Sequence, residues 1–126
     1  MRILFVDDDQ DTTDSFVMLA TMLGHEATVA DTSAAALDMA ATSLPDIIFI
    51  DIWLRLEDGR EVARLLRQIP ALSQSKLIAL TGTSPQDHDC EPGLFDEILL
   101  KPITLERFQE VFRPHIEQQA HSKRNA

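Results

Sequence analysis

Five short apolar segments, each followed by a stretch with helical spacing, constrain the fold of this chain more than any other feature of its sequence. The segments lie at residues 3–6, 27–30, 46–50, 77–80 and 98–100. Residues 46–50 read Asp-Ile-Ile-Phe-Ile, without alternation of polar and apolar residues. Unbroken apolar runs are typical of parallel strands that are covered on both faces. We therefore predict five buried strands.

Helical patterns separate these strands. Apolar spacing predicts helices over residues 11–23, 33–41 and 61–68, and a helix after Thr104. Ser84 with the following proline predicts the start of a short additional helix. Gly24 and Thr32 are expected to cap helices, and Asp9 or Asp11 is expected to begin the first one. In the last helix we expect four apolar side chains to face the core, namely Leu105, Phe108, Val111 and Phe112.

The alternation of strands and helices predicts an α/β fold with a doubly wound, parallel, five-stranded sheet. Parallel strands need crossover connections, and the intervening helices supply them on both faces of the sheet. We expect one domain over residues 1–120. The polar residues 121–126 are expected to form a disordered tail or the start of a linker.

Composition narrows the possible functions. The formal net charge is −10, which argues against direct nucleic-acid binding because phosphate backbones are bound by basic surfaces. No stretch approaches the roughly 20 apolar residues of a membrane helix, and the first residues do not resemble a signal peptide. A single cysteine, Cys90, is consistent with a reducing compartment. We therefore expect a cytoplasmic protein that does not bind membranes.

Polar residues follow the predicted strands at the ends where ligands bind in sheets of this kind. Asp7 and Asp8 follow the first strand, and Asp51 follows the third. Thr81 follows the fourth strand and Lys101 the fifth. Each residue alone has an ordinary structural explanation as a turn, a cap or a surface group. Their joint occurrence at one edge of the sheet predicts a functional site.

The chemistry of this set points to phosphoryl transfer. Carboxylates a few ångströms apart repel each other by about 4 kcal/mol per pair at a surface-like dielectric, and Mg²⁺, which prefers oxygen ligands, would remove that repulsion. Asp51 lies on the predicted central strand and is the candidate nucleophile toward phosphorus. Lys101 and Thr81 would then neutralise and orient the transferred group.

These residues resemble the receiver domains of two-component signalling over almost the whole chain. The matching motifs lie at residues 3–9, 45–51, 58–59, 80–82 and 101–102. The resemblance implies a flavodoxin-like (βα)5 fold with strand order 2-1-3-4-5. It also implies a signalling protein rather than a conventional enzyme. The reactions of such a protein are the acceptance of a phosphoryl group and slow autodephosphorylation.

The resemblance also assigns roles to the site residues. Asp51 would accept a phosphoryl group from a phosphohistidine on a sensor histidine kinase or a histidine phosphotransfer protein. Asp8 would bind Mg²⁺ directly and Asp7 directly or through water, with Asp51 and the main-chain carbonyl of Trp53 as further ligands. Lys101 would pair with the phosphoryl oxygens and precede a cis proline. The Thr81 hydroxyl would move toward the phosphoryl group, changing the face of the fourth helix, fifth strand and fifth helix. That face would bind an output domain, an effector protein or a second copy of the chain.

Four departures from the family pattern concern signalling more than phosphorylation. Arg55 stands where proline is common, and Trp53 is unusually large for its position. Ile98 replaces the usual aromatic switch residue. The segment between Thr81 and Lys101 is short and contains two prolines, which predicts a small fourth helix.

Two alternatives remain open. A degenerate receiver would keep the fold as an interaction module that works without phosphorylation. A haloacid-dehalogenase-type phosphatase would use Asp9 as nucleophile in the stretch Asp9-Gln10-Asp11-Thr12-Thr13. That nucleophile should follow the first strand directly, whereas Asp9 lies three residues beyond Val6, and this alternative leaves Asp51 unexplained.

Overall fold

The computed structural model describes residues 1–54, 56–82 and 93–111. Their five strands form one parallel sheet in the order β2-β1-β3-β4-β5. The predicted parallel sheet and its strand order are confirmed. Each strand lies within one residue of its predicted limits; the strands are β1 (Arg2–Val6), β2 (Glu26–Ala30), β3 (Ile47–Asp51), β4 (Lys76–Thr81) and β5 (Glu97–Leu100).

Helices connect the strands largely as the sequence predicts. They are α1 (Gln10–Met22), α2 (Ser33–Ser43), α3 (Gly59–Arg67), a short 3-10 helix (Pro70–Leu72) and a C-terminal helix over 105–111. The third helix begins at Gly59, two residues before its predicted start, because the preceding aspartate caps it. The helix predicted from Ser84 and the tail over 121–126 lie outside the described residues. None of the helices in the described ranges is both long enough and apolar enough to span a lipid bilayer.

Apolar side chains cover both faces of the sheet. On one face, buried residues of α2 and α3 pack against Leu4, Val6 and Ile48. On the other face, α1 and the C-terminal helix pack against the opposite side of the same strands. All five residues of β3 are buried, as expected for the central strand of a doubly wound sheet.

Four phenylalanines form the centre of the second layer. Phe5 stacks on Phe16 and Phe49 at ring-centroid distances of 5.3 and 5.2 Å, and Phe108 stacks on Phe49 at 5.6 Å. This confirms the inward position of Phe108, and Val111 is also buried. Phe112 lies outside the described residues. The inward prediction for Leu105 is wrong, because its side chain is 46% exposed. Leu105 lies in the first helical turn, close to where the chain leaves the sheet edge.

Short polar contacts define the ends of the helices. Thr32 accepts a hydrogen bond from the Ala35 N–H at 3.2 Å, and Thr104 accepts one from the Arg107 N–H at 3.1 Å. Asp9 occupies the N-cap position of α1. Gly24 has φ of +85° just after α1, a conformation that favours glycine at a helix end.

Candidate functional site

The carboxyl ends of the strands bring the predicted site residues to one edge of the sheet. Asp7 follows β1, Thr81 ends β4 and Lys101 follows β5. Asp51 ends β3 and is in register with Leu80, the residue before Thr81. Asp7, Asp51 and Thr81 are all buried. Folding therefore places these residues together although they are far apart in the sequence.

The acidic cluster consists of Asp7, Asp8 and Asp51. One carboxylate oxygen from each lies within 4.8 Å of the other two. Asp7 and Asp51 are buried and Asp8 is half-buried. Three carboxylates this close together match the hard oxygen ligands that a divalent cation such as Mg²⁺ prefers. The residues present therefore fit a divalent metal site.

The Lys101 ammonium bridges two members of the acidic cluster. Its Nζ lies 2.9 Å from Asp7 Oδ2 and 3.4 Å from Asp51 Oδ2. The Lys101 N–H donates to the Thr81 carbonyl at 2.7 Å, which ties the residue to the end of β4. The Lys101–Pro102 peptide bond is cis, as the family resemblance implied.

Burial and charge act in opposite directions on these groups. The pKa of Asp51 is raised, first because burial disfavours the carboxylate and also because Asp7 is nearby, although Lys101 opposes the shift. Burial is the largest single influence on the pKa of Lys101 and lowers it, but the hydrogen bonds and charges of Asp7 and Asp51 outweigh it and raise that pKa. The site therefore disfavours the ionised form of Asp51 and favours the charged form of the neighbouring Lys101 ammonium.

The main chain after β3 holds the Asp51 carboxylate in place. The Trp53 N–H donates to Asp51 Oδ1 at 3.0 Å. The Ile52 N–H donates to the Leu80 carbonyl at 3.0 Å, and the Ile52 carbonyl accepts from the Gly59 N–H at 2.9 Å. The start of the loop is therefore fixed to both β4 and α3, while Asp51 Oδ2 faces the Lys101 ammonium.

The β3–α3 loop is also anchored to α2. The Ser33 N–H, at the start of α2, donates to Glu57 Oε1 at 2.8 Å, and the Ser33 hydroxyl donates to the other oxygen of Glu57. These hydrogen bonds lower the pKa of Glu57. A carboxylate at a helix N-terminus is favourable because the first N–H groups of the helix lack partners within it.

Gly59 has a packing role that the sequence did not reveal. A Cβ added at Gly59 would lie 2.1 Å from the Asp51 main-chain oxygen and 2.9 Å from the Ile52 Cα. Only glycine therefore allows α3 to approach the end of β3 this closely. The sequence does contain a signal, because an Asp58-Gly59 pair is typical of a turn, but a pair of this kind does not say what the glycine contacts.

Comparison with known proteins identifies the family. The family model of the response regulator receiver domain matches residues 3–113. The chain belongs to the response regulator receiver domain family. It is 34% identical over 110 residues to the response regulator MprA of Mycobacterium avium, a match that covers 84% of this chain and 46% of that protein. The chain thus spans about half the length of the curated relatives it matches.

Solved structures agree with this assignment. A CheY-like receiver domain from Methylobacillus flagellatus has a TM-score of 0.82 and 29% identity, covering 90% of this chain and 97% of that one. The response regulator TrrA from Thermotoga maritima, solved in complex with Mg²⁺-BeF, has a TM-score of 0.79 and 26% identity, covering 90% and 96% of the two chains. The predicted receiver fold and signalling family are confirmed.

Membership of the receiver family also bears on the phosphatase alternative. Asp9 is exposed at the N-cap of α1 and accepts a hydrogen bond from the Thr12 hydroxyl at 2.7 Å. The buried acid at the central strand is Asp51 instead. The geometry therefore favours a receiver domain over a phosphatase that uses Asp9.

Proposed function

We propose that this receiver domain accepts a phosphoryl group on Asp51. The observation that carries the proposal is the acidic cluster, in which Asp51 lies at the end of the central strand with Asp7, Asp8 and the Lys101 ammonium around it. In the reaction, an Asp51 carboxylate oxygen forms a bond to phosphorus. The bond between phosphorus and the donor nitrogen of a phosphohistidine breaks, and that nitrogen keeps the electron pair.

Asp7, Asp8 and Asp51, with the main-chain carbonyl of Trp53, would hold Mg²⁺. The metal would neutralise charge on the phosphoryl oxygens when bound. The donor set supports this assignment, and so does TrrA, a structural relative solved with Mg²⁺-BeF. The Trp53 N–H already orients Asp51 through Oδ1. Lys101, which contacts both Asp7 and Asp51, is placed to pair with an incoming phosphoryl group.

Phosphorylation would shift the domain between two conformations. A phosphoryl group adds roughly 1.5 to 2 negative charges and strong hydrogen-bond acceptors. Thr81 and Lys101 are joined by a main-chain hydrogen bond, so movement of either toward the new group would displace the ends of β4 and β5 together. If Thr81 and Lys101 bind the phosphoryl group more tightly in one conformation than in the other, phosphorylation shifts the population toward that conformation.

The partners are part of the same proposal. The donor would be a sensor histidine kinase or a histidine phosphotransfer protein. The output surface would include β5 and the C-terminal helix, and would bind an output domain, an effector protein or a second copy of the chain. Slow autodephosphorylation would reset the domain, and the expected location is the cytoplasm.

The test is phosphorylation by a small acyl phosphate in the presence of Mg²⁺. Intact-mass spectrometry should show the gain of one phosphoryl group, and peptide mapping should place it on Asp51. Asp51→Asn should abolish the gain, whereas Asp38→Asn, which alters an exposed acid on α2, should not. Labelling at another residue would reject the assignment. A folded wild-type chain that gains no mass with any phosphodonor would instead support the degenerate receiver.

A further inference from the structure

Arg60 contacts the side chain of Trp53, the residue whose N–H orients Asp51. Its guanidinium carbon lies 5.6 Å from the centroid of the Trp53 ring, within the range of a cation–π interaction. The Trp53 side chain is 54% exposed, so the ring is not held by burial in the core. Its main chain, by contrast, makes the hydrogen bond to Asp51 Oδ1.

Asp58 fixes the orientation of Arg60. The Arg60 Nη2 donates to Asp58 Oδ2 at 2.7 Å and its Nε donates to Asp58 Oδ1 at 3.0 Å. Such a two-point contact sets the plane of the guanidinium as well as its position. Asp58 also pairs with Trp53 through an isolated antiparallel β-bridge. The start and the end of the β3–α3 loop are therefore joined twice, by the main chain and by the Arg60 side chain.

We infer that Arg60 is a positioning residue for the phosphorylation site: by stacking on the Trp53 ring, it restricts the main chain at residue 53 and hence the orientation of the Asp51 carboxylate. The inference deepens the proposed function and rests on it. The contacts of Arg60 that carry the inference are those with the Trp53 ring and with the Asp58 carboxylate. Its effect would pass through the Trp53 ring to the N–H that Asp51 accepts, and to the carbonyl proposed as a metal ligand.

The first test follows the Trp53 ring without any metal. Trp53 is the only tryptophan and the chain has no tyrosine, so its fluorescence reports one site. Arg60→Ala should increase acrylamide quenching and lower the fluorescence anisotropy of Trp53. Arg64→Ala is the matched control, since Arg64 lies one turn further along α3 and pairs with Glu61 at 2.8 Å. Equal quenching in wild type, Arg60→Ala and Arg64→Ala would overturn the inference, whether or not Asp51 is phosphorylated.

The second test asks whether Arg60 acts through the Trp53 ring. Calorimetric titration should show Mg²⁺ binding weakened about 2- to 5-fold in Arg60→Ala, the range expected for an exposed cation–π contact. In a Trp53→Leu background the same substitution should have no further effect on Mg²⁺ affinity. If Arg60 only stabilised the start of α3, Arg60→Ala would weaken Mg²⁺ binding by the same factor in the wild-type and Trp53→Leu backgrounds. That result would refute the inference. Mass gain at Asp51 in the wild type, measured in parallel, tests the proposed function separately.

Discussion

Gly59→Ala is the substitution for which the structure makes the sharpest prediction. The new Cβ would lie 2.1 Å from the Asp51 carbonyl oxygen, whereas real Cβ atoms essentially never approach another heavy atom closer than 3.0 Å. Backbone atoms of β3 and α3 would have to separate by about 0.9 Å at least. The obstacle is backbone on both sides, so no side chain can rotate away. Overpacking costs typically about 1–3 kcal/mol, and we expect the upper end, about 3 kcal/mol.

Gly82→Ala is the matched control. Among the residues that the structure describes, a Cβ added at Gly82 would meet no atom within 4 Å beyond its two chain neighbours, and the φ of Gly82 lies outside the left-handed region. Replacing such a glycine with alanine usually stabilises a protein by about 0.4–1 kcal/mol, because the unfolded chain loses entropy. The two substitutions are chemically identical, so the difference between them isolates the close approach at Gly59.

Urea unfolding followed by circular dichroism measures this difference. With a slope of about 1–3 kcal/mol per molar urea, a loss of about 3 kcal/mol lowers the midpoint by roughly 1–3 M for Gly59→Ala. Gly82→Ala should unfold at or slightly above the wild-type midpoint. If Gly59→Ala unfolded at the same urea concentration as Gly82→Ala, α3 could not approach the end of β3 as closely as 2.1 Å between the added Cβ and the Asp51 carbonyl oxygen.

Three further predictions concern the charges of the site. Without Mg²⁺, Asp51→Asn should stabilise the domain more at about pH 7 than at about pH 4. The pKa of Asp51 is higher in the folded than in the unfolded protein, so the wild type loses stability as the pH rises from the unfolded-state pKa through the folded-state pKa. An equal gain in melting temperature at the two pH values would contradict this. Lys101→Met should lower the free energy of unfolding at about pH 7 by roughly 1–3 kcal/mol, since it leaves the Asp7 and Asp51 carboxylates close together without their cation; thermal unfolding that matched the wild type would refute it. Mg²⁺ at 100 times its dissociation constant should stabilise the wild type by about 2.7 kcal/mol, and this gain should be lost in Asp8→Ala, so a preserved magnesium-dependent rise in melting temperature would remove Asp8 from the metal site.

The sequence predicted the sheet well because each strand is short, apolar and bounded by polar residues. It also predicted that Asp51, Thr81 and Lys101 would lie at the same edge of the sheet, because the carboxyl ends of parallel strands share one edge. The burial of Leu105 was predicted incorrectly, because helical spacing does not show where along the C-terminal helix packing against the sheet begins. The stacking of Arg60 on Trp53 could not be predicted either, since it depends on the loop path and on the orientation that Asp58 gives to the guanidinium.

The charge balance of the site indicates why the proposed reaction would need a divalent cation such as magnesium. Asp7, Asp8 and Asp51 bring three carboxylates within 4.8 Å of one another, and Lys101 contributes a single ammonium to Asp7 and Asp51. Even without a phosphoryl group, the negative charges exceed the positive ones, and the burial that raises the pKa of Asp51 adds to the cost. A phosphoryl group would add roughly 1.5 to 2 further negative charges at the same point. Lys101 alone cannot balance that charge, because it already pairs with Asp7 at 2.9 Å. A divalent cation held by the acidic cluster would leave Lys101 able to exchange Asp7 for the phosphoryl oxygens. This exchange of partners would couple the chemistry at the end of β3 to the ends of β4 and β5.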